Sequence, residues 1–212
     1  MKEKYINYIN TDIKFDRKDK KGIICLITIV SGMFGFLYEF IFYYFNSGMK
    51  QFYYRGGNFL PWINIYAIGA LMIYFFVFDN RKKPLKVFIK SSIICGILEF
   101  ITGYVMYNYF GGFRCWNYNT EILNFGNIGG FVCLRSVIIF GISSLFLIYV
   151  IVPLIYIFLD KFDKKLIFKI SIILFSVVLI DELYNLIFAR LLFLPRASDI
   201  YKKLGIHYVK FK

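Results

Sequence analysis

Hydrophobic residues in this chain gather into five long runs, at about Gly22–Phe45, Phe59–Phe78, Val87–Phe110, Gly129–Leu159 and Leu166–Leu194, separated by short polar stretches. A hydrocarbon core about 30 Å thick is crossed by about 20 apolar residues in a helix, and every run reaches that length. The runs are roughly two to three times longer than a transmembrane barrel strand and lack its polar alternation. The pattern predicts an all-α protein: a polytopic transmembrane helical bundle of about five spans within residues 22–194. A basic amino-terminal segment at 1–21 precedes it and a basic carboxy-terminal tail at 195–212 follows. The fourth and fifth runs exceed a perpendicular crossing, which predicts tilt or a protruding end.

Composition supplies the reason for the runs. Of 212 residues 59% are hydrophobic, more than a soluble core of this size can hide, so the chain reads as an integral membrane protein embedded in the lipid bilayer. The polar first 21 residues and the absence of a small-residue cleavage site predict that the first span stays as a signal anchor. Lysine and arginine number seven before the first span, then two, five, one and four in the successive loops. Because cytoplasmic flanks carry the excess, this alternation predicts a cytoplasmic amino terminus in a bacterial inner membrane. Five spans then place the tail outside in spite of Arg196, Lys202, Lys203, Lys210 and Lys212, since early helices usually dominate orientation. The net charge of +13 lies mostly in these flanks and is assigned to topology and anionic lipid. No basic patch interleaved with aromatics points to nucleic acid.

Away from the ends of the runs, five charged side chains fall inside them: Glu39, Glu99, Arg135, Asp181 and Glu182. A charge at the bilayer centre costs about 2.5–3.5 kcal/mol on insertion scales, so such a residue is expected to face protein or water and to have a partner. With the amino terminus inside, all five lie near the middle or in the outer half of their spans. Two loops on that side, 46–58 and 111–128, are rich in Gly, Tyr, Trp and Asn. The expectation is a polar, substrate-binding cavity open to the outer face. In it Glu39, Glu99 and Asp181 contribute negative charge, Arg135 balances part of it, and Arg55, Tyr66, Trp116 and Tyr118 line the mouth. Four acids against one arginine cannot all pair, so Arg55 or Arg114 from the outer loops is expected to add countercharge. The plainer alternative is that these charges bond only with one another and fix helix packing.

Gly32, Gly35, Gly96 and Gly103 allow close helix approach. Pro61 and Pro153 each remove a backbone donor that a neighbour or water must replace in lipid. The stretches GFLYEF at 35–40 and GILEF at 96–100 each place a glutamate ahead of a Gly-rich outer loop containing an arginine. They suggest that the first two spans repeat the next two. Cys25 and Cys95 read as small hydrophobes, while Cys115 and Cys133 fall on the outer side, where a disulfide is an option. His207 is the only histidine and lies in the tail, so the bundle lacks the ingredients of a histidine triad or multi-histidine zinc site. No catalytic residue, metal site or cofactor is assigned.

Residues 55 to 71 read RGGNFLPWINIYAIGAL. This resembles the CmpB-like family of ABC-transporter type IV permeases, small polytopic membrane proteins whose second helix opens with a pattern like R-G-x-L-x-G-P-x-x-P-I-Y-G-x-G. Arg55, Gly56, Pro61, Ile65, Tyr66 and Gly69 fit it, while Leu60, Asn64 and Ala67 replace a Gly, a Pro and a Gly. The family's G-W-x-x-E is represented by Gly35, Phe36 and Glu39, with Phe replacing Trp, its E-Y-x-T-G by Glu99, Phe100, Thr102 and Gly103, and its F-G…W-D-Y by Phe110, Gly111, Trp116, Asn117 and Tyr118. Asn124, Cys133, Leu134, Gly141, Asp181 and Tyr184 continue a likeness that covers about residues 25–190. Tyr107 and Asn117 stand where the family has acids, so a role resting on those two carboxylates does not carry over.

The resemblance implies a membrane-embedded transport component. The chain has no G-x-x-x-x-G-K-[ST] loop, so ATP-driven transport requires a separate ATPase subunit or another membrane protein as partner. The inner loops, about 79–86 and 160–165, give such a subunit little to grip. Two rival readings stand beside transport: a non-transporting accessory or scaffold protein of the cell envelope, and a membrane-embedded enzyme using Glu39 and Glu99 on a lipid-linked substrate.

Overall fold

A computed structural model describes residues 2–10, 17–109, 111–112 and 114–207. Phe110, which ends the third expected span, and residues 11–16 and 208–212 of the terminal segments lie outside the described residues. Among the described residues the chain is helical and without strands. Its helices are α1 (Lys2–Asn10), α2 (Arg17–Asn46), α3 (Asn64–Phe76), α4 (Pro84–Tyr109), α5 (Leu134–Phe146), α6 (Val152–Lys161), α7 (Lys164–Leu183), α8 (Ala189–Leu191) and α9 (Ala197–Lys203). They fall into two compact units, whose described residues are those of 2–10 and 69–158 in one and of 17–68 and 159–207 in the other. We name these the α4 unit and the α2 unit. The stretch 22–194, expected as one domain, is thus divided, with α4 packed on α5 in one unit and α2 on α7 in the other.

Among the described residues two helical stretches, Lys20–Asn46 and Leu134–Leu159, are long and apolar enough to cross a membrane; α3 is apolar but has only 13 residues. The burial pattern is the inverse of a soluble helix. α4 exposes Leu85, Ile89, Ile93, Ile97 and Ile101, one every four residues, and buries Ser91, Ser92 and Glu99. The same holds along α5 and α6, where Ile138, Ile142, Phe146, Val150, Leu154 and Phe158 are exposed while Arg135, Ser136 and Ser144 are buried. In water each exposed aliphatic would forgo about 1.5–3 kcal/mol of burial, and each hidden hydroxyl would still need a partner. Beside lipid the aliphatic stripe is well solvated and only the polar groups must find company inside.

The second expected span, 59–78, is not one helix. α3 starts only at Asn64, and Phe59–Ile63 lies as nonhelical backbone against the middle of α2. Pro61, which cannot donate, sits at the centre of a tight turn closed by the Trp62 N–H on Leu60 O at 2.7 Å. The turn delivers the Trp62 ring onto Gly32. There the indole N–H donates to Thr28 O at 3.1 Å and the Ile63 N–H donates to Gly32 O at 3.1 Å. Gly32 lies ten residues, or about 15 Å at 1.5 Å per residue, past Gly22 at the start of the first apolar run. The linker therefore reaches the mid-depth of that run.

The fourth expected span, 129–159, also starts late. Gly129 and Gly130 take positive φ values of 62° and 81°, which turn the chain before Cys133 caps α5. A π-helical stretch, Leu147–Ile151, joins α5 to α6 directly before Pro153. The fifth run, 166–194, likewise changes register without a break, because α7 passes through a π-helical stretch at Tyr184–Phe188 into α8. No disulfide joins Cys115 and Cys133, the latter being buried at the start of α5.

A methyl on Gly32 would overlap the Trp62 indole. Gly32→Ala is therefore expected to lower stability by about 1–3 kcal/mol, read as a fall in the thermal unfolding midpoint in detergent. Gly57→Ala, with open space around it, should leave that midpoint unchanged.

Candidate functional site

In the α2 unit the returning linker brings backbone N–H groups to mid-helix depth, and α7 supplies their acceptors. Asp181 accepts from the Phe59 N–H at 3.0 Å through Oδ1 and from the Leu60 N–H at 2.7 Å through Oδ2. Glu182 accepts from the side-chain amides of Asn58 at 2.6 Å and Asn64 at 2.7 Å, three residues to either side of Pro61. Asn185, one helical turn after Asp181, donates to Asp181 Oδ1 at 2.8 Å and accepts from the Ala197 N–H at 2.8 Å. The start of α9 is thereby tied to the same place.

Glu39 on α2 is bonded by side chains of the linker and of α3. Arg55 Nε donates to Oε2 at 2.6 Å and the Tyr66 hydroxyl donates to Oε1 at 3.2 Å. Arg55 is buried, with its guanidinium 4.3 Å from the centre of the Tyr43 ring. Gly35, one turn before Glu39, has no side chain and so leaves room for the Tyr66 ring.

In the α4 unit Glu99 accepts from the hydroxyls of Tyr118 and Ser136, the latter at 2.7 Å. Tyr118 comes from the loop after α4, which is folded back by a one-turn 3-10 helix, Tyr118–Thr120, capped by Asn117. Trp116 helps seat that loop: its ring packs on Gly103 and its indole N–H donates to Phe131 O at 2.8 Å. Arg135 donates to Glu121 Oε2 at 2.6 Å and to Ile122 O at 2.6 Å, and lies 5.2 Å from the Tyr118 ring centre. Burial, and then the Glu99 carboxylate, hold the Tyr118 phenol well above its ordinary range. It therefore stays protonated and acts as a donor.

The eight expected site residues divide between the two units, four in each. Glu39, Arg55, Tyr66 and Asp181 belong to the α2 unit, and Glu99, Trp116, Tyr118 and Arg135 to the α4 unit. Arg55 supplies countercharge to Glu39, whereas Arg114 donates to Gly129 O at 3.2 Å and lies over Tyr107 and Phe131. Asp181 serves backbone donors of the linker. Five residues that the sequence pattern does not assign to the site bond within these groups: Asn58, Asn64, Glu121, Ser136 and Asn185. The sequence carries one signal for them, since Glu121 is the only acid in the outer loop 111–128. The suggested repeat has a counterpart in bonding, because in each unit a helix glutamate accepts from a tyrosine hydroxyl supplied by the segment that follows it. Among the described residues no group of three His, Cys, Asp or Glu side chains is placed to hold a metal ion.

A family model described as putative ABC-transporter type IV matches residues 26–186 of the chain. No curated protein and no solved structure matches it significantly.

Asp181→Asn turns an acceptor into an amide donor that faces a backbone N–H, and is expected to cost about 1–3 kcal/mol in thermal unfolding. Glu121→Ala removes the buried carboxylate opposite Arg135 and should cost more, about 3–5 kcal/mol. The double variant with Arg135→Leu should recover most of that loss, because the two charges then leave together.

Proposed function

The chain belongs to the putative ABC-transporter type IV family, and from that premise we propose that it is a multi-pass permease component of a bacterial cytoplasmic membrane. It has about five spans, with the amino terminus inside. The observation that carries this reading is the return of nonhelical chain to mid-helix depth in the α2 unit, Phe59–Ile63 against Gly32; in the α4 unit the loop after α4 turns back and brings the Tyr118 hydroxyl to Glu99. Irregular backbone is tolerated at that depth only where protein surrounds it or where it lines a cavity, and transporter binding sites are built this way.

Glu39 and Glu99 are the residues we assign to the substrate or to an accompanying ion. Arg55, Tyr66, Tyr118 and Arg135 set their charge and orientation, while Asp181 and Trp116 fix the two returning segments. In each unit this group of side chains opens to the outer face, and energy is supplied by a separate ATPase subunit. No catalytic role is assigned to the chain itself. A second reading, a non-transporting accessory protein of the envelope, draws support from Asp181, Glu182 and Glu121, whose carboxylates bond within the chain.

Two sets of contacts favour this topology. The Tyr54 N–H donates to His207 O at 2.8 Å and the Tyr201 hydroxyl donates to Phe59 O at 2.6 Å, which keeps the basic tail on the side of the first loop. Arg81 Nε donates to Tyr8 O at 2.9 Å, which keeps α1 on the side of the second. An odd number of spans satisfies both.

Single cysteines at Gly57, Asn119 and Lys202 in a cysteine-free background are expected to react with a membrane-impermeant maleimide in intact cells, while one at Lys83 stays protected. Labelling at Lys83 with protection at Gly57 and Asn119 inverts the topology. Purification in mild detergent should bring down an ATPase subunit; recovery of envelope proteins alone would favour the accessory reading.

A further inference from the structure

Pro153 takes a donor out of the α5–α6 helix, and the amino-terminal helix supplies one in its place. In the π-helical stretch Leu147–Ile151 the bonding register lengthens, and the Val152 N–H donates to Leu147 O, five residues back. The next bond of that register would run from residue 153 to Ile148 O, and proline has no N–H. Ile148 is fully buried, where a carbonyl needs a partner. The Tyr8 hydroxyl, also fully buried, donates to Ile148 O at 2.6 Å.

The rest of the contact holds Tyr8 to its receptor. Arg81 Nε donates to Tyr8 O at 2.9 Å, and the Arg81 guanidinium lies 4.6 Å from the Phe78 ring centre and 6.0 Å from that of Tyr8. The Tyr149 hydroxyl, from within the π-helical stretch, donates to Arg81 O at 2.5 Å. Two side chains therefore link the π-helical stretch to α1, one directly and one through Arg81. With nine residues, α1 falls short of the roughly 12–15 that a helix needs to persist unaided, so its order depends on this docking.

We propose that α1 is a latch that selects the backbone register of the α5–α6 helix. In the π register the carbonyl that lacks the residue-153 donor is Ile148 O; in an unbroken α register it would be Tyr149 O, four residues before Pro153. Tyr8 reaches Ile148 O and so favours the first. The two registers differ by one residue, or about 100° of rotation between α5 and α6. Release of the basic amino-terminal segment thereby has a route into the body of a span. This inference does not depend on the transport reading.

The test uses the full chain in lipid nanodiscs, with nitroxide labels at the exposed positions Ile6 and Lys83 in a cysteine-free background. Docked α1 gives one narrow distance distribution. Pro153→Ala gives Ile148 O a donor within its own helix. The Tyr8 hydroxyl is then displaced, the distribution broadens, and amide exchange over residues 2–10 speeds up roughly tenfold or more at unchanged helix content. Tyr8→Phe removes the donor and is expected to do the same. A narrow distribution with wild-type exchange in Pro153→Ala overturns the proposal, because α1 would then be held by packing alone. Should Pro153→Ala not fold, the same wild-type result in Tyr8→Phe overturns it.

Discussion

Backbone N–H groups of a nonhelical linker have no helical partners and must be bonded elsewhere, and in the α2 unit Asp181 meets that demand. Its two oxygens take the N–H groups of Phe59 and Leu60. Much of the unit follows from this. With these donors satisfied, the Pro61 turn holds its shape, Trp62 seats on Gly32, and Tyr66 and Arg55 arrive at Glu39. An apolar residue at 181 would leave two part-buried donors without their acceptors.

The α4 unit meets the same constraint with different groups. Trp116 and the loop carbonyls return the chain to α4, Ser136 and Tyr118 meet Glu99, and Tyr8 serves the carbonyl of Ile148. The buried charges of both units then divide by what they bond. Asp181 holds backbone of the linker, and Arg135 donates to the Ile122 carbonyl as well as to Glu121. The bonds described for Glu39 and Glu99 come from side chains alone, which leaves the surrounding backbone intact when those bonds are exchanged. Such an exchange is what a transported group would require, and for that reason the proposed function rests on these two glutamates.

Much of the helical framework was legible in the sequence. The apolar runs located α2, α4, the α5–α6 stretch and α7, because hydrophobic length is a local property of the chain. Pro61 and Pro153 marked the places where regular bonding fails. Less legible was the second run, whose first five residues are as apolar as a helix but follow the linker instead; Pro61 and the acceptors on α7 outweigh local hydrophobicity there. The candidate residues were legible as charges in an apolar context, yet their grouping was not. Asn58, Asn64 and Ser136 are ordinary polar residues until a carboxylate is beside them.

The sequence by itself determined that this chain is helical, that long apolar runs dominate it, and that a few charges inside those runs need partners. Only the tertiary structure decided which partners those are. Asp181 lies 121 residues from the Leu60 N–H it accepts, and Tyr8 lies 140 residues from the Ile148 carbonyl it serves. Hydrophobic periodicity acts along the chain, whereas a hydrogen bond is made with whatever donor the packed helices bring within about 3 Å.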